Sequence, residues 1–262
     1  MEHSKVNLKI NTSDKVAIHY KGDVAKLYNK NRTSSLKWKR EQKIMEEIIS
    51  NFSPKSTVLD LPIGTGRLLP FYESCDHKIY GVDISSDMLE ETSKAIKGIN
   101  TNVDLIEGNI EKIPLPDNSV DYVVCMRLFN LVPISTVEIG LKEFCRVSRD
   151  RIFFQVRVVE DIGLIKLIAK MVLDPRTYIN RLLHQVFILL KKPLNIIKGQ
   201  SNKGKNDLKR ENYYLHRKEN IYNVLRDEGF DIVQIIEVDK GIDFIKKLYK
   251  PFLIIECKKI DE

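Results

Sequence analysis

Residues 58–67 read VLDLPIGTGR. An apolar, strand-forming run leads into Asp60, and a turn follows that contains Gly64 and Gly66. Glycine lets a backbone turn sharply and approach a ligand closely. The helix expected next opens with free backbone N–H groups. Strand, glycine turn and helix form the first unit of a nucleotide-binding α/β sheet. Further on, YGVDIS (80–85) puts Asp83 at the end of a second strand, where a carboxylate can accept both hydroxyls of a ribose. Position 69 is Leu where a third glycine would stand, so a pyrophosphate site is disfavoured. On its own this pairing of turn and acid is shared with nicotinamide and flavin enzymes.

Working outward, TVLDL (57–61), KIYGVDI (78–84), NVDLIEG (102–108), VDYVVCM (120–126) and RIFFQVRVV (151–159) read as strands. Helical stretches lie around 66–74, 86–97 and 134–148. Short apolar strands alternating with helices predict a parallel sheet covered on both faces, and right-handed crossovers make it doubly wound. RKENIYNVLRDEGF reads as a helix ending at Gly229, and DIVQIIEV (231–238) and PFLIIECKK (251–259) as a closing antiparallel hairpin. Before the sheet, SSLKWKREQKIMEEIISNF reads as a helix capped by Ser34 or Ser35 and ended by Ser53-Pro54, with Leu36, Ile44, Met45, Ile48, Ile49 and Phe52 in helical repeat.

The expected fold class is therefore α/β: a Rossmann-like, doubly wound, mostly parallel seven-stranded sheet with a C-terminal antiparallel hairpin. One domain is expected over 1–262. It comprises an N-terminal helical cap (1–53), a core (54–160 and 211–262) and an inserted helical segment (161–210). That insertion begins strongly apolar and ends polar and glycine-containing, and it carries eleven Lys and Arg against Asp161, Asp174 and Asp207. It accounts for the whole net charge of +7.

Bulk properties narrow the classes. The 262 residues are 43% hydrophobic and 30% charged, enough for a sizeable core and unlike a disordered chain. Cys75, Cys125, Cys145 and Cys257 are far apart and form no CxxC or Cys/His cluster, which argues against a metal site or a disulfide framework. Reduced thiols point to the cytoplasm, with Cys125 and Cys257 as core residues. The segment MEHSKVNLKI has no secretory character, and no window approaches the length of a transmembrane span.

The order VLDLPIGTGR … YGVDISSDML … EGNIEKIPLPDNSVDYVV resembles the class I S-adenosylmethionine-dependent methyltransferases, within them the type 11, ubiquinone-biosynthesis-like group. The resemblance covers residues 56–160 well and the last strands loosely. It implies S-adenosylmethionine as the methyl donor and S-adenosylhomocysteine as the product. Asp60, Gly64 and Gly66 would bound the methionine end, with Pro62 standing where the family usually has Gly and Ile63 where it has Cys or Ala. Asp83 would hold the ribose, Ile84 would pack on adenine, and Asn109 and Ile110 would lie beside the adenine amino group. Met126 and Arg127 match the segment lining donor and acceptor. Tyr20, Tyr28 and Trp38 would either close over the donor or simply pack the cap.

The acceptor implied is a small molecule or lipid-like compound, and no convincing general base emerges. Arg127, His184, His216 and His19 are the candidates for a catalytic role, each with a simpler reading as packing or surface. Arg127 follows a strand at the ligand-binding edge and suits an anionic substrate group. The insertion is read either as a substrate cover with solvated charges or as a lid making peripheral contact with an anionic membrane. Two alternatives stay open: an RNA methyltransferase, disfavoured because the aromatic residues are not interleaved with the basic ones, and a degenerate protein that binds the donor without transfer. Nothing in the sequence sets an oligomeric state.

Overall fold

The computed structural model describes residues 22–28, 35–74, 76–159, 214–238 and 252–260. The cap contributes a single turn, α1 (Asp23–Lys26), and the longer α2 (Leu36–Ile49). The sheet follows: β1 (Thr57–Asp60), α3 (Leu69–Glu73), β2 (Lys78–Asp83), α4 (Ser86–Ile96), β3 (Asn102–Glu107) and β4 (Val120–Cys125). A 3₁₀ turn at Phe129–Leu131 precedes α5 (Ile134–Val147) and β5 (Ser148–Val159). The chain then supplies β6 (His216–Arg217), α6 (Lys218–Asp227), β7 (Phe230–Glu237) and β8 (Phe252–Lys259). The insertion expected at 161–210 lies outside the described residues, as do Tyr20, His19 and His184.

Strand order is β3-β2-β1-β4-β5-β8-β7, with β6 beside the end of β5. The pairs β2–β3, β1–β2, β1–β4 and β4–β5 are parallel. The last two strands do form an antiparallel pair, but β8 passes between β5 and β7 and runs antiparallel to both. The expected C-terminal antiparallel hairpin is thus present, and β8 is the strand of the main sheet that runs against the others. The eighth strand, β6, pairs with β5 only at Val158 and Val159. Two residues carry no period, so no sequence pattern announces them.

Burial explains the elements. β4 shows almost continuous burial because helices cover both faces of the parallel sheet. On one face Leu141 and Phe144 of α5 and Ile221 and Leu225 of α6 pack against Val123 and Phe154. On the other, Met45 and Ile49 of α2 and Leu69 and Tyr72 of α3 pack against Val58, Val124 and Phe153. Each such side chain contributes about 1.5–3 kcal/mol by leaving water. Cys125 and Cys257 are core residues, and Cys145 joins them. Ser35 takes the N-cap position of α2 without a side-chain cap bond, whereas Ser85 caps α4 by accepting from the Met88 N–H.

One contact ties β2 to the glycine turn. A Cβ on Gly81 would lie 2.3 Å from Ile63 Cδ1 and 3.0 Å from Leu105 Cδ2. Gly81 therefore leaves the room that Ile63 occupies, which explains how a bulky residue is tolerated where small ones are usual. Gly81→Ala should destabilise the protein by about 1–3 kcal/mol through overpacking. The double variant Gly81→Ala/Ile63→Ala should recover part of that loss, as a chemical-denaturation double-mutant cycle would measure. Strict additivity of the two changes would disprove the packing argument.

Candidate active site

The site lies at the carboxyl ends of β1, β2 and β4, at the switch point where the strand order reverses between β1 and β4. There β1 ends at Asp60, and the chain turns through Pro62, Ile63 and Gly64. The turn is held by backbone bonds: Leu61 N–H to Val124 O and Ile63 N–H to Val82 O, each 3.0 Å. Pro62, whose preceding peptide bond is cis, falls between the two N–H groups that are used, so its missing donor interrupts neither bond. Gly64 has φ +61, and a Cβ there would meet no atom within 4 Å. Glycine is thus favoured at that position by conformation and leaves its surface open to a ligand.

The second strand delivers Asp83. Its Oδ2 accepts the Gly64 N–H at 2.9 Å and its Oδ1 accepts the Ser85 N–H at 2.9 Å. Thr92 closes the same turn by donating to Gly64 O at 2.6 Å. Asp60 accepts the Tyr72 hydroxyl at 3.4 Å. Both carboxylates are nearly closed off from solvent. Burial raises the Asp60 pKa to about 7, against the opposing field of Arg67 and the Tyr72 bond. Burial likewise raises that of Asp83 to about 6, against its three backbone N–H bonds.

Asp60, Pro62, Gly64 and Asp83 line a cleft together with Tyr28, Ile84, Met126, Leu128 and Leu131. An adjoining hollow shares Pro62, Asp83, Ile84 and Leu128 and is also lined by Asn109 and Ile110. Most residues singled out from the sequence therefore meet in one groove. Gly66 does not line it; with φ +71 it turns the chain into α3, packed against Leu69 and Thr92. His216 is buried, its Nε2 donating to Phe129 O at 2.7 Å, and burial lowers its pKa. It pins the turn after β4 from behind and is not among the cleft-lining residues.

The sequence reading missed Glu41. It is fully buried on α2, in step with Trp38, Met45 and Ile49 on the buried stripe. A carboxylate at an apolar helical position was the available signal. Glu41 Oε2 accepts Arg127 Nε at 2.7 Å and Arg67 Nη1 at 3.3 Å, and Oε1 accepts Gln155 Nε2 at 3.0 Å. Despite burial, the two guanidinium groups hold its carboxyl below the usual range. Both guanidinium carbons lie over the Trp38 ring, at 4.6 Å for Arg67 and 4.8 Å for Arg127, and Tyr28 meets that ring edge-on. Arg127 has φ +64, a conformation that costs a non-glycine residue about 1–3 kcal/mol and persists where its surroundings enforce it.

Comparison with known proteins identifies the fold's relatives. Residues 58–151 match a family described as "Methyltransferase domain". A demethylmenaquinone methyltransferase of Geobacillus kaustophilus is 30% identical over 57% of this chain and 62% of its own length. One from Geobacillus stearothermophilus is 35% identical over 44% of this chain and 48% of its own length. The chain thus spans about half to three-fifths of these relatives. The crystal structure of magnesium protoporphyrin IX methyltransferase from Synechocystis PCC 6803, with bound S-adenosylmethionine, superposes with a TM-score of 0.62 at 12% identity, over 97% of this chain and 100% of that one.

The raised carboxylates make stability depend on pH. Below about pH 3 both are largely protonated in the folded and unfolded chains. As pH rises, the unfolded chain ionises first, at an ordinary 3.8, and stability falls until Asp83 and Asp60 ionise near 6 and 7. Asp60→Asn should therefore raise the melting temperature at pH 8, by an amount corresponding to a few kcal/mol, and leave it nearly unchanged at about pH 3. A variant less stable than the parent at pH 8 would contradict this.

Proposed function

We propose, from the premise that this is a class I S-adenosylmethionine-dependent methyltransferase, that the protein transfers the donor's methyl group to a small-molecule or lipid-like acceptor. The observation that carries this reading is the order of groups along one groove: Asn109 at one end, Asp83 in the middle, and Asp60 with the glycine turn at the other. That order suits adenine, ribose and the amino-acid portion of one ligand. The residues fit each part. Asn109 offers a side-chain amide beside Ile110. Asp83 uses part of its acceptor capacity on N–H groups and keeps lone pairs for ribose hydroxyls. Asp60 is a buried carboxylate for which a ligand ammonium would supply the missing counter-charge.

When bound, the donor would supply an electrophilic sulfonium methyl group, open to in-line attack by the acceptor's nucleophile with S-adenosylhomocysteine as the leaving group. What this chain contributes is placement and exclusion. The turn between β1 and α3, fixed by Asp83 and Thr92, holds the donor's position. Ile63, Met126, Leu128 and Leu131 give the cleft an apolar wall that keeps water from the reacting centre and favours loss of cationic charge.

A lipid-like acceptor is favoured by the demethylmenaquinone methyltransferases among the relatives and by the apolar, basic sequence of 161–210. That stretch would cover the acceptor or meet an anionic membrane surface. No helix among the described residues is long and apolar enough to cross a membrane.

Isothermal titration with S-adenosylhomocysteine tests the donor reading. The wild type should bind, and Asp83→Ala should bind about 10–100-fold more weakly through loss of charge-assisted hydrogen bonds. The absence of any heat or thermal shift with the wild type would end the reading. Acceptor class can then be read from labelled methyl transfer to a prenylated and a tail-free naphthoquinol, each offered in neutral and in anionic vesicles. A lipid-like acceptor predicts faster transfer to the prenylated compound, and equal rates would count against it.

A further inference from the structure

A short chain of hydrogen bonds ties the wall of the hollow to α5. Asn109 lines the hollow, and Glu111 and Thr136 do not. Asn109 Oδ1 accepts the Glu111 backbone N–H at 3.1 Å, and Asn109 Nδ2 donates to Glu111 Oε2 at 3.3 Å. Glu111 Oε1 in turn accepts the Thr136 hydroxyl at 3.1 Å, from the first turn of α5. The same helix clamps the residue between them. A Cβ on Gly140 would lie 2.5 Å from Ile110 Cδ1 and 2.6 Å from Ile110 Cγ1, so the Ile110 side chain rests directly on the α5 backbone. Ile110 and Thr136 are both almost fully buried. The loop from Asn109 to Glu111 is thus held to α5 at two points.

These bonds leave the Asn109 amide one orientation. A backbone N–H can only donate, so the atom facing it is the carbonyl oxygen. An ionised carboxylate can only accept, so the atom facing Glu111 Oε2 is the amide nitrogen. Turning the amide over would set two acceptors against each other at one contact and two donors at the other. Each end of the amide has two hydrogen-bonding positions and spends one on Glu111. What remains is one acceptor position beside one donor. Adenine presents the complement, an amino donor beside a ring-nitrogen acceptor, and an asparagine amide can meet both. Hypoxanthine carries a carbonyl in place of that amino group, so the locked amide would face it acceptor to acceptor.

We propose that Glu111 is a positioning residue for nucleobase selection: held by Thr136, it locks the Asn109 amide so that the site takes an adenine nucleoside and rejects the hypoxanthine one. This rests on the donor reading and adds to it the residue that sets the base preference. A carboxylate in place of the amide could only accept, would read the same from either oxygen, and would have no orientation to lock. An amide offers a second hydrogen bond to the base, provided something fixes which end is which. Glu111 does so and acts through Asn109 without lining the hollow itself.

Calorimetric affinities for S-adenosylhomocysteine and S-inosylhomocysteine give the preference as a ratio. The wild type should favour the adenine compound by about tenfold or more, the weight of a mismatched hydrogen-bonding edge. Glu111→Gln can offer either a donor or an acceptor to the Asn109 amide, while the backbone bond remains, so the preference should fall severalfold without vanishing. Thr136→Val, which releases the Glu111 carboxylate, should move it the same way by a smaller factor. In an Asn109→Asp background, Glu111→Gln should leave the ratio unchanged, because no amide is left to orient. General damage to the loop would instead weaken both compounds together. A wild type that binds neither compound overturns this inference along with the donor reading. If the wild type binds S-adenosylhomocysteine, the positioning role alone is overturned by either of two results. One is a ratio that Glu111→Gln and Thr136→Val leave unmoved; the other is a ratio that Glu111→Gln lowers as much in the Asn109→Asp background as in the parent.

Discussion

The hydrogen bond from the Gly64 N–H to Asp83 is the constraint on which the site depends. It joins the turn after β1 to the end of β2, two elements far apart along the chain and adjacent only because the strands pair. A carboxylate that accepts backbone N–H groups on both oxygens cannot rotate freely, so Asp83 arrives at the groove oriented. The turn in return is set by the strand that follows it. Thr92 of α4 adds a second tether to the same residue. The first two β–α units thus lock together around one glycine held at positive φ.

That arrangement is held at a cost elsewhere. Asp60 and Asp83 are buried where the ionised form is poorly solvated, and neither meets a basic side chain close enough to offset its burial. Residues chosen for stability alone would be apolar there. Buried acids left short of partners at a strand edge mark a site arranged for a ligand that completes them. Glu41 shows the opposite balance. It is buried just as deeply, yet two guanidinium groups and an amide more than offset the desolvation. The same chemical group is driven in opposite directions by what surrounds it.

Much of the fold was legible because parallel strands and glycine turns are local patterns. TVLD, KIYGVD, NVDLIE and VDYVVC announce themselves by apolar content and punctuation, and the residues grouped around the groove follow from which strand ends they occupy. What stayed hidden depends on tertiary choice. The placement of β8 between β5 and β7 is a pairing decision that no period within either strand encodes. β6 is too short to carry a pattern. Helix α3 starts only at Leu69, later than the apolar run suggests, because Gly64 and Gly66 take positive φ values and keep the turn out of the helix.

The cap was the least legible part, for the same physical reason that makes it informative. A helical repeat marks a buried face by apolar residues, and a charge on that face reads as an irregularity in the pattern. Glu41 is such an irregularity: it sits between Trp38 and Met45, and its partners come from the glycine turn, from the second residue after β4 and from β5. A buried charge is tolerable only with partners, so a lone acid on an apolar stripe implies a basic group brought to it by the fold. The sequence held both halves, Glu41 on the stripe, Arg67 in the glycine turn and Arg127 just past β4. Joining them required the sheet, because separations of 26 and 86 positions along the chain are bridged by the order of β1 and β4.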